Sequence, residues 1–328
     1  MMGRKNAETA NKQDNSFITY FKSGGGGVLI ALVVMIVAMS VFTDSFLTPI
    51  NITNLIKQMA TNALLAFALT YCLTTGFIDL SVGSHVAFAG CLAVLLVNAG
   101  VPVFWAIILV CVCGAVVGGI NGFIFAYSGM PAYVITLAMQ NVLRGAAYLI
   151  NAGAAIDCKS RDFFSYANGK LFGVIPYPFL IVIAVGVVLH ILMSKTVFGR
   201  HMYAVGGNQA TAIYSGVNVK KIRWIVYTIS GVLAALAGTI TASRVFSGQP
   251  TVGIGFEGEA IAAAVLGGTS FTGGKGTIPN TVIGILVMGV MSNAMNLLEI
   301  SYYWQLVVKG LVILIAVYAD TVKRARVK

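Results

Sequence analysis

Long apolar runs separated by short polar segments dominate this chain from residue 27 onward. A helix needs about 20 predominantly apolar residues to cross a bilayer, and fewer when it is short and buried among other helices. Ten runs meet this description: 27–46, 58–77, 84–100, 102–127, 130–151, 176–193, 223–246, 258–269, 277–297 and 303–319. The pattern predicts an all-α polytopic membrane protein with about ten transmembrane helices.

Two of these runs give the weakest signals, and they leave eight transmembrane helices as the alternative. They are 84–100 and 258–269, and the second is short enough to form a re-entrant or half-helix. We expect three regions: a polar N-terminal tail at 1–26, a transmembrane domain at 27–319 and a basic C-terminal tail at 320–328.

The distribution of basic residues predicts the orientation of the chain. Of the 21 Lys and Arg residues, 14 fall in segments that a ten-helix topology places on one side of the membrane. Cytoplasmic segments of membrane proteins are enriched in Lys and Arg. The charge pattern therefore predicts that both termini, and the long polar segment 194–222, lie in the cytoplasm.

Composition agrees with a membrane protein and argues against other classes. The chain is 58% hydrophobic and only 9% charged, whereas soluble domains carry about 25% charged residues. The net charge of +11 is explained by cytoplasmic segments and does not require nucleic acid. Four of the five cysteines lie in apolar runs, so neither a disulfide framework nor a metal site is expected.

The glycine-rich stretch 267–277, GGTSFTGGKGT, tests whether the chain binds a nucleotide. A P-loop requires glycine five residues before the Gly-Lys pair and Ser or Thr after the lysine. Those positions hold Thr269 and Gly276. With no other catalytic motif, we expect a non-enzymatic chain without a cofactor, and a tight membrane-edge turn at 267–277.

The segment 194–222 is unusually polar and contains a predicted short helix. Asn208 is a suitable N-cap for a helix that begins at Gln209, and Gly216 is a suitable residue to end it. Long ordered segments of this kind often have a function, so docking of a soluble partner is one interpretation. A plain connector is the other.

Acidic residues precede two runs of small residues. Asp79 and Ser81 lie at the start of one run, where helix capping is the favoured interpretation and gating the alternative. Glu257 and Glu259 precede the other, and the match of Phe77-Ile78-Asp79 to Phe256-Glu257-Gly258-Glu259 predicts a weak internal repeat. Internal repeats are frequent in transporters.

Three basic residues fall within apolar runs: Arg144, Arg244 and Lys309. A charge inside the membrane indicates a functional site, unless a long side chain extends to the interface. In the functional interpretation these residues border an outward vestibule. Its further candidates are Asn141, Gln249, Glu257 and Glu259.

Glycines at four-residue spacing predict close helix packing. Gly114, Gly118 and Gly122 form two consecutive G-x-x-x-G patterns, and small residues are also frequent at 231–238. Small residues let helix backbones approach each other where lipid supplies no hydrophobic drive. This predicts a tightly packed bundle and does not identify a substrate.

An ordered set of motifs resembles a known family. FIDLSVGS, GRHMYAVGGN, SGVNV, AIAAAVLGGTSFTGGKGT and YYWQLVVKG occur in this order between about residues 46 and 320. Together they resemble the permease subunits of bacterial ABC importers for monosaccharides, the ribose-type branch. The resemblance implies a bacterial cytoplasmic-membrane protein that forms a homodimeric pore, with a cytoplasmic ATPase subunit and an extracytoplasmic sugar-binding protein as partners.

The resemblance also implies which residues couple the chain to the ATPase. These residues are Gly199, Arg200, Gly206, Gly207, Asn208, Gln209, Ala210, Ser215 and Gly216. The family usually has an acidic residue after the asparagine and a basic residue four positions later, whereas this chain has Gln209 and Ile213. We therefore expect an ATPase surface that is less charged than usual.

Two alternatives remain open. The chain could belong to an ABC importer of another solute, such as a branched-chain amino acid, a nucleoside or a furanose signalling molecule. An ATPase-independent carrier or channel is the second alternative, and it would require buried ion ligands, of which the sequence shows no series.

Overall fold

The computed structural model describes residues 26–325, and these form an almost entirely helical bundle. The helices are α1 Gly26–Phe42, α2 Pro49–Thr74, α3 Val82–Asn98, α4 Val103–Ser128, α5 Ala132–Ile150, α6 Arg161–Asn168, α7 Tyr177–Lys195, α8 Val197–Gly207, α9 Gln209–Tyr214, α10 Val219–Val245, α11 Phe256–Leu266, α12 Ile278–Leu297 and α13 Tyr302–Ala325. The strands β1 Ile156–Asp157, β2 Lys170–Leu171, β3 Ile175–Pro176 and β4 Ser247–Gly248 have two residues each. They pair antiparallel, β1 with β4 and β2 with β3.

Each of the ten predicted apolar runs coincides with one helix. Within residues 26–325, five helices are long and apolar enough to cross a membrane: α4, α7, α10, α12 and α13. The apolar helices α1 and α3 have 17 residues each, and α11 has 11. The helices α2 and α5 are longer but more polar. The expectation of a short helix near 258–269 is confirmed.

Two predicted boundaries differ from the structure. The helix α2 is longer than the predicted run 58–77. It begins at Pro49, and the hydroxyl of Thr48 caps its N-terminus. Its polar first turns are stabilised by a reciprocal amide pair between Asn51 and Asn293 on α12, which hydropathy does not register. At the other end, α13 continues to Ala325, past the predicted tail boundary at 320. Nearly all of the predicted N-terminal tail lies outside the described residues.

The helix α10 lies at the centre of the bundle and packs most extensively on α4, then on α3 and α2. Glycines permit the α4–α10 contact. A Cβ atom at Gly118 would overlap the carbonyl oxygen of Tyr227, and one at Gly231 would overlap that of Gly114. The predicted role of the G-x-x-x-G spacing is therefore confirmed.

Two non-helical segments run into the bundle instead of staying at its ends. Residues 75–81 rise from the end of α2 to the start of α3, and Asp79 meets Ser230, which lies roughly 16 Å along α10 from Val219. From the opposite end, residues 246–255 descend to the start of α11. The second segment meets the start of α3 inside the bundle, where the backbones of Gly83 and Gly253 touch.

The polar residues between the second and third apolar runs do not form a surface segment. Asp79, Ser81 and Gly83 are all buried. The short helices α3 and α11 both begin within the bundle, next to each other. Helices that begin inside the protein are a feature of transporters built from repeats.

The α4–α10 contact gives a test of the packing. We expect Gly118→Ala to lower the free energy of unfolding by about 1–3 kcal/mol, because overpacking forces the two helices apart. Thermal unfolding of the purified protein in detergent would measure the change. Gly119→Ala is the matched control, because a Cβ there lies 3.5 Å from the nearest atom, Trp224 Nε1. Equal unfolding temperatures for both variants would contradict this account.

Candidate functional site

The segment 194–222 forms two helices at one end of the bundle, α8 and α9. The predicted short helix is confirmed, since Asn208 caps α9 through a 3.0 Å hydrogen bond from the amide of Thr211. Gly216 follows its end with a φ of 79°. Ile213 and Tyr214 on α9 are 54% and 91% exposed. Such a helix presents an apolar surface outside the bundle.

The predicted coupling residues divide into an exposed group and a packed group. The exposed group contains Arg200, Gly207, Asn208, Gln209, Ala210, Ser215 and Gly216. Gly199 is buried in the turn between α7 and α8, where a Cβ would overlap the carbonyl oxygen of Met193. Gly206 is half-buried against the end of α2. The second group therefore shapes the segment and is not available to a partner.

Arg223 connects α9 to the bundle. Its Nη2 donates a 2.7 Å hydrogen bond to Gln209 Oε1. Its guanidinium carbon lies 4.7 Å from the ring centroid of Phe77 and 4.5 Å from that of Phe125. Cation–π contacts of this kind fix the position of an arginine. Sequence patterns do not reveal this connection, because Phe77 and Phe125 lie far along the chain from Gln209 and Arg223.

Asp79 lies at the buried break between α2 and α3. Its Oδ1 accepts hydrogen bonds from the amide and hydroxyl of Ser81, at 3.0 and 2.6 Å. Its Oδ2 accepts a 2.7 Å bond from the hydroxyl of Ser230 on α10. Ser81 is the N-cap residue of α3, but its side chain makes no capping bond, so the expected cap is wrong in detail. Asp79 holds the break against α10.

A cavity of about 370 Å³ opens between α2, α10, α11 and α13. It contains four of the predicted pore residues: Arg244, Glu257, Glu259 and Lys309. Arg244 lies roughly 37 Å along α10 from Val219, so the cavity is at the end of the bundle opposite to α8 and α9. The structure therefore brings these four predicted residues together in one cavity.

The charges in this cavity are only partly paired. Lys309 Nζ lies 2.6 Å from Glu259 Oε1, and Asn62 donates a 3.0 Å hydrogen bond to Glu259 Oε2. The side chains of Lys309 and Glu259 are both mostly buried. No described residue accepts a hydrogen bond from the guanidinium of Arg244. The cavity therefore combines a neutralised ion pair with free cationic donors.

Arg144, Asn141 and Gln249 do not line this cavity. Arg144 donates hydrogen bonds to the carbonyl oxygens of Pro250 and Val252, the second at 2.6 Å. Asn141 is exposed and bonds its own helix at Leu137. Gln249 is half-buried beside a small void. The expected vestibule is wrong for these three residues, and Arg144 instead satisfies the backbone of the descending segment.

The stretch 267–277 packs against both α2 and α8. The amide of Gly274 donates a 2.8 Å hydrogen bond to the carbonyl of Thr74. A Cβ at Gly274 would lie 2.9 Å from Gly207 Cα, and one at Gly273 would lie 2.5 Å from the carbonyl oxygen of Gly206. Both glycines have positive φ. The expected tight turn is confirmed, and its glycines are explained by backbone contact.

Comparison with known proteins identifies the class. The described residues form a helical bundle with long apolar helices, a buried break, a polar cavity and an exposed helix pair. The family model described as the branched-chain amino acid transport system / permease component matches residues 51–317. The chain belongs to this permease family and is a multi-pass membrane protein.

Three relatives illustrate the similarity. The ribose import permease protein of Haemophilus influenzae is 41% identical, over 95% of this chain and 96% of its own length. The L-arabinose transport system permease protein of Escherichia coli is 38% identical, over 91% and 90%. The D-allose transport system permease protein of the same organism is 36% identical, over 97% of both chains. No solved structure matches this chain.

Asp79 gives a test of the buried break. We expect Asp79→Ala to lower the free energy of unfolding by about 1–3 kcal/mol, because Ser81 and Ser230 would keep buried donors without an acceptor. Thermal unfolding in detergent would measure the loss. Asp157→Ala is the control, because Asp157 is exposed on β1. An unchanged unfolding temperature for Asp79→Ala would show that the carboxylate does not hold the break.

Proposed function

We propose that this chain is the membrane-spanning permease subunit of a bacterial ATP-driven importer, located in the cytoplasmic membrane, and that it forms the pore for a monosaccharide. The observation that carries the proposal is the similarity, over nine-tenths or more of both chains, to permeases named for ribose, L-arabinose and D-allose. The sugar is a pentose or hexose delivered by an extracytoplasmic binding protein.

The proposed topology has ten membrane crossings with both termini in the cytoplasm. Two observations support it. The segments 75–81 and 246–255 complete the crossings that the short helices α3 and α11 begin inside the bundle. The basic residues cluster at the end that carries α8 and α9. The cavity then opens toward the outer side.

The cavity is the outer part of the proposed sugar pathway. Its side chains include the amides of Gln58 and Asn62 and the donors of Arg244, with the aromatic rings of Phe256 and Tyr302. Amides and charged groups bind sugar hydroxyls, while apolar rings cover the carbon faces. Lys309 pairs with Glu259, and the two remaining charged residues of the cavity, Arg244 and Glu257, are opposite in sign. A neutral solute would therefore meet little net charge.

The ATP-hydrolysing partner docks on α9 in this proposal, and the chain itself needs no cofactor. Ile213 and Tyr214 supply an exposed apolar contact, and apolar and aromatic anchors dominate interface energetics. Gln209, where the family usually has an acid, is already bonded to Arg223. The contact therefore depends on shape and apolar area more than on charge.

A second copy of the chain completes the pore. The final helix α13 contributes Tyr302, Leu306 and Lys309 to the cavity, and within this chain it packs chiefly on α11. Most of its remaining surface is exposed and apolar. Two copies facing each other through α13 would enclose both cavities in one path.

A branched-chain amino acid is a second candidate solute. The family description names such transport, and the free guanidinium of Arg244 would pair with a carboxylate. An amino acid would present a charged carboxylate to Arg244, whereas a sugar would present an uncharged hydroxyl.

The experiment that tests the function is purification of the tagged chain from native membranes under mild detergent. We expect a stoichiometric ATPase subunit to copurify, and ATP-dependent uptake of radiolabelled ribose, arabinose or allose after reconstitution with the binding protein. Excess unlabelled leucine should not compete. A chain that stays a homo-oligomer without an ATPase under crosslinking would contradict the proposal.

Docking through α9 has its own test. We expect the double variant Ile213→Ser/Tyr214→Ser to reduce ATPase copurification at least tenfold, because the exposed apolar contact is lost. Phe172→Ser/Val174→Ser is the matched control, since these residues are 89% and 72% exposed in the turn between β2 and β3, away from α9. Equal copurification with both variants would move the docking surface elsewhere.

Arg244 gives a test of the sugar pathway. We expect Arg244→Met to reduce uptake at low sugar concentration by about tenfold or more, because a hydrogen bond to a charged donor contributes about 1.5–3 kcal/mol. Folding should be unaffected, since the guanidinium has no acceptor among the described residues. Arg161→Met, on the exposed start of α6, is the control. Normal uptake by Arg244→Met would exclude the cavity as the pathway.

A further inference from the structure

A cluster of backbone contacts lies between the docking end of the bundle and the cavity. We call it the glycine junction, and it consists of Thr74, Gly206, Gly207, Gly273 and Gly274. A Cβ at Gly206 would overlap the carbonyl oxygen of Thr74. Three chain segments therefore meet backbone to backbone: the ends of α2 and α8 and the stretch 267–277.

Hydrogen bonds tie the same stretch to further helices. The hydroxyl of Tyr203 on α8 donates a 2.6 Å bond to the carbonyl of Gly276. The hydroxyl of Ser270 and the amide of Phe271 each donate a 3.3 Å bond to Asp320 on α13. The stretch 267–277 is thus bonded to α8 on one side and to α13 on the other.

Three helices lead from the junction to the cavity. From Thr74 to Asn62, α2 covers roughly 18 Å, and from Asp320 to Lys309, α13 covers roughly 16 Å. The short helix α11 begins with cavity residues and ends at Leu266, directly before the glycine stretch. A displacement of α8 would therefore reach three walls of the cavity through rigid elements.

Two buried hydroxyls, one in the glycine junction and one beside it in the stretch 267–277, have no partner among the described residues. They belong to Thr74 and Thr269, and a Cβ at Gly276 would lie 3.1 Å from the second of them. Buried polar groups are nearly always paired, so each exception in a native structure requires an explanation. A second arrangement of the junction that pairs these hydroxyls would provide one.

We propose that the glycine junction transmits the movement of α8 and α9 to the cavity, with Gly206 as the positioning residue that keeps α8 in backbone contact with α2. The inference rests on the proposed function. Because no side chain separates the three backbones, a shift of α8 moves the stretch 267–277 and the end of α2 together. A second position for this contact would change the shape of the cavity without breaking the docking surface.

The test compares transport with ATP hydrolysis in proteoliposomes that contain this chain, its ATPase subunit and the binding protein. In Gly206→Ala the added methyl group must separate α8 from Thr74. We expect sugar uptake to fall at least tenfold while the ATPase subunit still copurifies and hydrolyses ATP. The number of ATP molecules hydrolysed per sugar should therefore rise. Gly145→Ala is the control, because Gly145 is an exposed helical glycine with no atom within 4 Å of its added Cβ.

A second variant keeps the test valid if Gly206→Ala folds poorly. Tyr203→Phe retains the ring and removes only the bond to Gly276, and we expect a smaller rise in ATP hydrolysed per sugar. An unchanged ratio in both variants, or loss of the ATPase subunit from both, would overturn the inference. Absence of ATP-driven uptake by the unaltered complex would instead remove the proposed function, and this inference with it.

Discussion

The architecture depends on one constraint: a backbone amide or carbonyl inside a membrane bundle must find a hydrogen-bond partner within the protein. The two non-helical segments 75–81 and 246–255 both run into the bundle and would otherwise violate it. Tyr227 donates a 2.7 Å hydrogen bond to the carbonyl of Ile78. Asn151 donates a 2.7 Å bond to the carbonyl of Gly248. Arg144 donates hydrogen bonds to the carbonyls of Pro250 and Val252. These polar side chains therefore supply the hydrogen-bond partners that the non-helical backbone needs.

This constraint separates the intramembrane charges into two groups. Arg144 and Asp79 are bonded to the chain breaks and act as parts of the scaffold. Lys309 and Glu259 pair with each other in a cavity, and Arg244 has no acceptor among the described residues. Of these five residues, the second group lines the cavity and the first does not. A charge within a membrane helix indicates function, but the bonding partner decides which function it has.

Glycine has two different uses in this fold. On α4 and α10 it lets two long helices touch, and this contact needs only small residues at regular spacing. In the stretch 267–277 it lets three irregular backbones meet, and this contact needs positive φ as well as small size. The first use packs the bundle, whereas the second joins the segment 194–222 to the helices that line the cavity.

The sequence alone determined the fold class, the positions of the apolar helices, the short helix capped by Asn208, the close packing at Gly114 and Gly118, and the resemblance to sugar permeases. These features depend on local periodicity, spacing and motif order, which a linear sequence contains. It also grouped Arg244, Glu257, Glu259 and Lys309, but it wrongly added Arg144, Asn141 and Gln249. Only the tertiary structure decided which of these residues line the cavity. It also decided that Asp79, Ser81 and Gly83 are buried and that Gly206 contacts Thr74. The contacts of Arg144 with Pro250 and Val252, of Asp79 with Ser230 and of Gly206 with Thr74 each join residues more than 100 positions apart. Helix rotation, which periodicity does not fix between distant segments, sets which side chains meet.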